Sequence, residues 1–467
     1  MEANGPERAG PRHRGGMAGA TVLTIALSTV LLSAGAGTAP AEASSGAFLR
    51  LAHLSPDTPA VDVTVTPLRD PKSATTINGV GYGDVSGYSR IDPGGYTIAM
   101  RPAGAAPTTK PVISATLDAA AGRAYTVAGL GHFADLALRV LEDEIGLPPS
   151  GQARMRVVNA APLAGDLTIR REGTAVIEHT DFGQASSYVL LPAGPTTLNL
   201  APRRAADTSL PVTLDAGGVY SVLVLERNGT LSATVRQDAK GARVVPAGGV
   251  ATGAGGTASS WPAWDPRRTA LIIAVVAAIL AGAVLTLGRR NAAPEAAGVA
   301  PPPAAPSWAN PTADPIQDPV SVARPVRLRI PAIGVDSPVV DIGVDAAGVL
   351  VPPVAADRVG WFTAGPAPGD TGPALLAAHV DSRTGPGVFF RLADLRAGDR
   401  VAVERADGST AGFAVVSTKR VAKTAFPTEL VYAPLPVPLL RLITCGGEFD
   451  RTARSYLDNV IVEASPV

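Results

Sequence analysis

Two stretches of this chain repeat each other, and that repetition limits the possible fold more than any other feature. LRLAHLSPDTPAVDVTV, from Leu49, is echoed by MRVVNAAPLAGDLTI from Met155. YGDVSGYSRIDPGGYTIAM, from Tyr82, is echoed by FGQASSYVLLPAGPTTLNL from Phe182, and TLDAAAGRAYTV, from Thr116, by TLDAGGVYSVLV from Thr213. The offset shrinks from 106 positions at Arg50 and Arg156 to 97 at Thr116 and Thr213, as it does when two copies of one unit differ in loop length. Each copy alternates apolar and polar residues in short runs, with Pro, Gly, Asp and Asn between them. That pattern predicts half-buried strands. About seven strands in about 95 residues predict one β-sandwich per copy, over 47–143 and 152–240.

Two apolar segments frame the repeats. Ala18 to Ala36 follows Arg8, Arg12 and Arg14 and ends in small residues, with Ala41 and Ala43 as an A-x-A-like site. This predicts a secretory signal peptide over 1–43. Ala270 to Leu287 carries no charge and is flanked by Arg267 and Arg268 on one side and Arg289 and Arg290 on the other. Its length suits a transmembrane helix over 269–288. Between repeats and membrane segment, 241–266 is rich in Gly, Ala and Ser and predicts a flexible linker. The stretch 291–324, with APPPAAPSWANPTADP, predicts a semi-rigid proline-rich spacer.

The 467 residues carry 40 basic and 40 acidic side chains, so no electrostatic footprint points to nucleic acid. No P-loop, dinucleotide fingerprint or metal-ligand spacing occurs, and no cofactor is expected. His53, His132 and His179 are scattered through the repeats and predict structural or solvent-facing roles. LPPSG at 147–151 lies between the repeats without an adjacent hydrophobic tail and is read as a coincidence, with self-processing there as the alternative; the NGT acceptor at Asn228 is given no role.

The region after the spacer, 325–467, contains eight strand candidates: 326–330, 339–342, 359–362, 374–378, 400–403, 412–418, 439–444 and 459–462. A closed eight-stranded barrel fits that count. The chain's one cysteine, Cys445, closes an apolar run in LRLITCGGEFD, and the chain is expected to turn at Gly446 and Gly447. The one histidine past residue 290, His379, follows another apolar run in PALLAAHVDSRTG. A single thiol and a single imidazole, each after a strand-like run, fit a nucleophile and its base. A buried inert thiol and a satisfied histidine are the bland alternatives. A lone thiol in an exported protein cannot form an intrachain disulfide, which favours chemistry.

TCGG-x-FD after an apolar strand, with HVDS upstream, resembles the sortases, and most the class F sortases of actinobacteria. RLRIPAIGVDSPV, VGWFTAGPAPGDTG, GVFFRLADLRAGDRVAV and SYLDNVIV extend the likeness over about 135 residues. The tandem repeat resembles an uncharacterised domain family of secreted bacterial proteins. The expected fold class is therefore mainly β: two tandem β-sandwich repeats, one transmembrane helix and a C-terminal eight-stranded sortase-like β-barrel.

The sortase resemblance implies that Cys445 attacks a Thr–Gly-type bond in the sorting signal of an exported protein, with His379 moving the proton. An amine on a peptidoglycan precursor or another protein then resolves the acyl-thioester. It also implies an arginine over the oxyanion. Arg454, just before Tyr456, is the first candidate; Arg451 and Arg441 are alternatives, because relatives carry the arginine where this chain has Leu457. Asp381 is a candidate to orient His379 or brace its loop. Gly446 and Gly447 are candidates for close substrate approach, and Asp458 and Asn459 for holding the last turn. A membrane location with an extracytoplasmic catalytic domain is expected, although a cleaved signal and a single later crossing would put that domain inside. A surface scaffold with an inactive barrel and a cysteine peptidase releasing product to water are the competing functions.

Overall fold

The computed structural model describes residues 46–255 and 322–467. The predicted signal peptide, the membrane segment, the end of the linker and nearly all of the spacer lie outside them. Among the described residues no helix is long and apolar enough to cross a membrane.

The first repeat is two four-stranded sheets. One has the order β4 (Ser89–Ile91), β1 (Ala47–Leu54), β7 (Ala124–Leu130), β8 (Ala137–Asp143); the other β3 (Thr75–Val80), β2 (Val61–Pro67), β5 (Gly94–Pro102), β6 (Ile113–Ala119). Alternate side chains of both sheets meet in one core, with Leu49, Leu51 and Val127 against Val63, Ile98 and Leu117. The second repeat has the same plan. β11 (Thr174–Thr180), β10 (Leu167–Arg171), β14 (Gly194–Pro202) and β15 (Thr208–Leu214) face a sheet of β12 (Gln184–Ala185), β9 (Gln152–Ala160), β16 (Gly218–Arg227) and β17 (Thr230–Lys240). β13 (Val189–Pro192) adds to β9. Eight and nine strands replace the seven expected of each copy, because the short edge pieces β4, β12 and β13 have too few residues to show a period of two.

The repeats join along β1, β7, β9 and β16, where Ala52, Leu54, Leu130, Val158 and Leu223 form a shared apolar patch. Beside it lies a buried polar seam. Arg50 pairs with Asp238 of the other repeat at 2.7 Å, and Arg156 pairs reciprocally with Asp143. Thr126 and Tyr88 donate to Asp143 at 2.7 and 2.6 Å, and Ser221 and Tyr188 donate to Asp238 at 2.5 and 3.1 Å. Each guanidinium also stacks on a tyrosine of its own repeat, Arg50 on Tyr88 and Arg156 on Tyr188. Burial works against the charge on Arg50, yet Asp238, Tyr88 and Asp143 outweigh it, and its pKa is raised.

The C-terminal region closes into the expected barrel: β18 (Pro325–Ile330), β19 (Val335–Ile342), β20 (Val359–Phe362), β21 (Gly372–Ala378), β24 (Pro438–Asp450), β25 (Ser455–Pro466), β23 (Thr410–Ala422) and β22 (Arg400–Arg405), with β22 pairing back to β18. Inward residues such as Leu376, Leu440, Leu442, Val460 and Val462 fill it. The outward face of β21, β24 and β25 is covered as well. There Leu375, Ala377, Ile443 and Ile461 pack with Val431 and Tyr432 of the short helix Thr428–Tyr432 and with Ala242 and Val250. β24 is therefore buried on both faces, although Leu440, Leu442 and Thr444 alternate with Arg441 and Ile443 as on a half-buried strand.

Two further expectations change. β24 does not turn at Gly446–Gly447 but continues to Asp450 through a register shift between Gly446 and Phe449. Gly447 takes φ 76° there, and a Cβ on it would stand 2.3 Å from the Asp458 carboxylate, so the pair forms a bulge. The expected flexible linker is not free over its described part. Residues 241–255 leave β17 and run over the barrel as a strap. Lys240 marks the start, ion-paired to Asp370 at 2.6 Å, and Arg243 donates its backbone N–H to the Ala364 carbonyl at 2.7 Å. Backbone bonds of this kind need no side-chain signal, so composition could not reveal them.

Candidate active site

β21 and β24 run parallel, with Ala374 opposite Leu440 and Ala377 opposite Ile443. β21 ends at Ala378, so His379 follows its last residue, while Cys445 lies within β24 two residues past Ile443. Cys445 belongs to the outward-facing set of β24 that includes Ile443. Thr444, facing inward, ties β24 to the end of β21 by donating its hydroxyl to the Ala378 carbonyl at 2.7 Å.

His379 lies 2.7 Å from the Pro353 carbonyl through Nε2. A carbonyl only accepts, so Nε2 carries the hydrogen and Nδ1 is the basic nitrogen. Nδ1 is buried and has no hydrogen-bond partner among the described residues. Cys445 is 1% exposed and packs with Val380, Tyr456, Phe390 and Phe449.

What covers Cys445 is the strap. Thr252 donates its backbone N–H to Sγ at 2.9 Å, and Sγ lies 3.4 Å from the Val250 carbonyl. The carbonyl of Thr252 accepts the Val380 N–H at 2.7 Å. Asn459 brackets Val250, accepting its N–H at 3.0 Å and donating to its carbonyl at 2.7 Å. Asp381 accepts the N–H groups of Ala254 and Gly255 at 2.8 and 3.0 Å and the Tyr456 hydroxyl at 2.7 Å. Val250 and Thr252 are fully buried, and Ala251 and Ala254 are exposed. The strap thus lies as an extended peptide with alternate side chains turned into a cleft.

The other sequence candidates fall in different places. Asn459 sits within β25 opposite Cys445 and clamps the strap, not the last turn. Asp381 is fully buried beneath the strap and holds it with Tyr456. Arg454 and Arg451 are both exposed in the hairpin turn between β24 and β25. Arg454 has a left-handed backbone, φ 49°. Neither arginine hydrogen-bonds to Cys445 or the strap among the described residues. Arg441 is buried and committed to Glu463 at 3.0 Å and to the Val431 carbonyl at 2.8 Å. Asp458 lies 3.5 Å from Arg420. LPPSG only makes the turn into β9, through the Gln152 N–H to the Pro149 carbonyl.

Sequence reasoning missed Val250, Thr252, Gly253, the Val380 N–H and Tyr456. One signal was present: Thr252-Gly253 is a Thr–Gly pair standing ahead of the uncharged run from Ala270 to Leu287.

Family models match two parts of the chain: a sortase domain over residues 328–467, and a domain of unknown function (DUF4397) over residues 47–170. Comparison with curated proteins gives no match. Solved structures similar to this chain include a lid mutant of sortase A from Corynebacterium diphtheriae, with 24% identity, 32% of this chain and 74% of that one covered and a TM-score of 0.25. Sortase C1 from Streptococcus suis matches at 20% identity over 31% and 73% of the two chains, TM-score 0.25. Sortase C-1 from Actinomyces oris matches at 24% identity over 31% and 72%, TM-score 0.25. The part of the chain that matches the sortase model thus carries its only cysteine, and the match to a domain with no assigned role spans the first repeat and the start of the second.

Proposed function

We propose that residues 325–467 are a cysteine transpeptidase of the sortase type, with the class F pattern, acting on exported proteins that carry a sorting signal. The observation that carries this reading is the place of the chain's only thiol in β24, beside the parallel strand β21 whose last residue precedes His379, with His379 Nδ1 buried and without a hydrogen-bond partner among the described residues. His379 takes the thiol proton as Sγ attacks the carbonyl of the substrate's Thr–Gly bond, and returns it to the departing amine. The Val380 N–H stands where a donor could hold the developing oxyanion. Arg454 remains the arginine that the family resemblance nominates; it reaches the site only if the β24–β25 turn folds inward on substrate. An amine of a peptidoglycan precursor or protein resolves the thioester.

On this reading the enzyme is membrane-associated and works outside the cytoplasm. The Lys240–Asp370 ion pair and the paired backbones of Lys240 and Leu435 support repeats and barrel sharing that side. Protease added to intact cells then degrades both halves; protection of the C-terminal half alone contradicts the placement.

The test is intact-mass analysis of the protein with sorting-signal peptides. The expected result is an acyl adduct on Cys445 that disappears when an amine is added, with ligated product. Cys445→Ala gives none, and His379→Ala slows turnover by about 10²–10⁴-fold. Peptide cleavage that persists in Cys445→Ala overturns the mechanism.

A further inference from the structure

We propose that the chain carries its own substrate: the Thr252–Gly253 peptide bond of the strap is the bond that Cys445 cleaves. The inference rests on the transpeptidase reading and names its acyl donor.

Four observations converge on that bond. Thr252 N lies 2.9 Å from Sγ. Backbone N and carbonyl C of one residue are about 2.5 Å apart, so Sγ is no more than about 5.4 Å from the Thr252 carbonyl carbon. The oxygen of that carbonyl already accepts the Val380 N–H at 2.7 Å, one residue from the base. The residue after the bond must be glycine, because a Cβ on Gly253 would stand 2.7 Å from the Tyr456 ring and 2.8 Å from Val380 Cγ1. Tyr456 and Val380 are both buried and cannot swing aside. The flanking backbone is gripped on both sides, by Asn459 at Val250 and by Asp381 at Ala254 and Gly255. A loop that merely crosses the barrel has no need of hydrogen bonds bracketing one peptide unit over the only thiol.

The step balances as follows. Sγ forms a bond to the Thr252 carbonyl carbon while His379 Nδ1 takes the thiol proton. The C–N bond to Gly253 breaks, and the proton passes to the Gly253 amine. The result is a thioester joining the repeat pair, ending at Thr252, to Cys445. A primary amine then attacks the carbonyl, forms an amide, loses its proton to His379 and restores the thiol. The repeat pair leaves on the amine, while the apolar segment Ala270–Leu287 stays with the barrel.

The test uses the full chain purified in detergent, with hydroxylamine as the amine and fragment masses as the readout. The expected products are a fragment ending in a Thr252 hydroxamate and one beginning at Gly253. They form at a first-order rate that does not change over a hundredfold dilution. Cys445→Ala and Gly253→Val stay whole, and Gly253→Val still cleaves an added Thr–Gly peptide. An intact wild-type chain in a sample that cleaves the added peptide overturns the proposal and leaves the transpeptidase reading standing. A cut that persists in Cys445→Ala, or a rate that scales with concentration, also overturns it. Failure to cleave either substrate overturns both.

Discussion

At the seam between the repeats, two arginines, two aspartates, Thr126 and Ser221 are buried and cross-paired. At the barrel's cleft, the strap is held almost wholly by backbone groups. The two contacts have different energetics. Removing one member of the seam strands a charge in a dry interior, which costs about 3–5 kcal/mol. The strap from Val250 to Gly255 makes eight hydrogen bonds at about 1 kcal/mol each and buries Val250 for about 2 kcal/mol. Ordering its six residues costs about 9 kcal/mol. These terms nearly cancel, so the strap docks without being locked. A permanent joint and an exchangeable ligand are built from the same chain, and side-chain charge makes the difference.

The sharpest way to break this contrast is at the seam. Arg156→Met leaves Asp143 buried without the guanidinium it pairs with and should lower stability by about 3–5 kcal/mol, read from urea unfolding of the repeats. A loss below about 1 kcal/mol would mean that the seam opens easily too. At the strap the expected effect is kinetic. Gly253→Val cannot dock, so the cleft opens to outside peptides that otherwise compete with a tethered segment at an effective concentration in the mM range. Initial cleavage of a dilute Thr–Gly peptide should rise about tenfold, equivalent to about 1.4 kcal/mol, with an unchanged melting temperature. An unchanged rate would show that the strap does not compete.

The smallest effect separates the repeats themselves. His53 and Asn159 occupy equivalent, fully buried positions, and each accepts the N–H two residues on, from Ser55 at 3.4 Å and Ala161 at 3.2 Å. Only the first can titrate. Burial lowers the His53 pKa below 6.5, with the Pro59 carbonyl opposing. Below 6.5 the unfolded chain binds a proton that the folded repeat refuses. Stability should therefore fall with acidification, by at most about 1.4 kcal/mol per pH unit, and level off once the folded value is passed. Thermal melts from pH 7 to 4 should show that slope, and His53→Asn should flatten it.

The same contrast explains what could be read in advance. The repeat offset and the alternation within it exposed both sandwiches. The eight apolar runs exposed the barrel, because those side chains report directly on burial. Cys445 and His379 stood out as the chain's one thiol and the one imidazole past residue 290, each after an apolar run, but the run before Cys445 did not show that its strand continues to Asp450. The strap was not, because Gly, Ala and Val around residue 250 look like linker when their bonds are made by backbone. The bulge at Gly447 was mistaken for a turn, since glycine serves both. The short edge strands β4, β12 and β13 were too brief for a period to appear.

Hydrogen exchange on full-length Cys445→Ala, with and without a saturating Thr–Gly peptide, compares the two contacts in one sample. The peptide should release the amides of Val250, Ala254 and Gly255, whose acceptors Asn459 and Asp381 the variant keeps, to fast exchange while those of β9 and β16 at the seam stay protected. Strap amides that keep their protection while the peptide is bound would contradict the account.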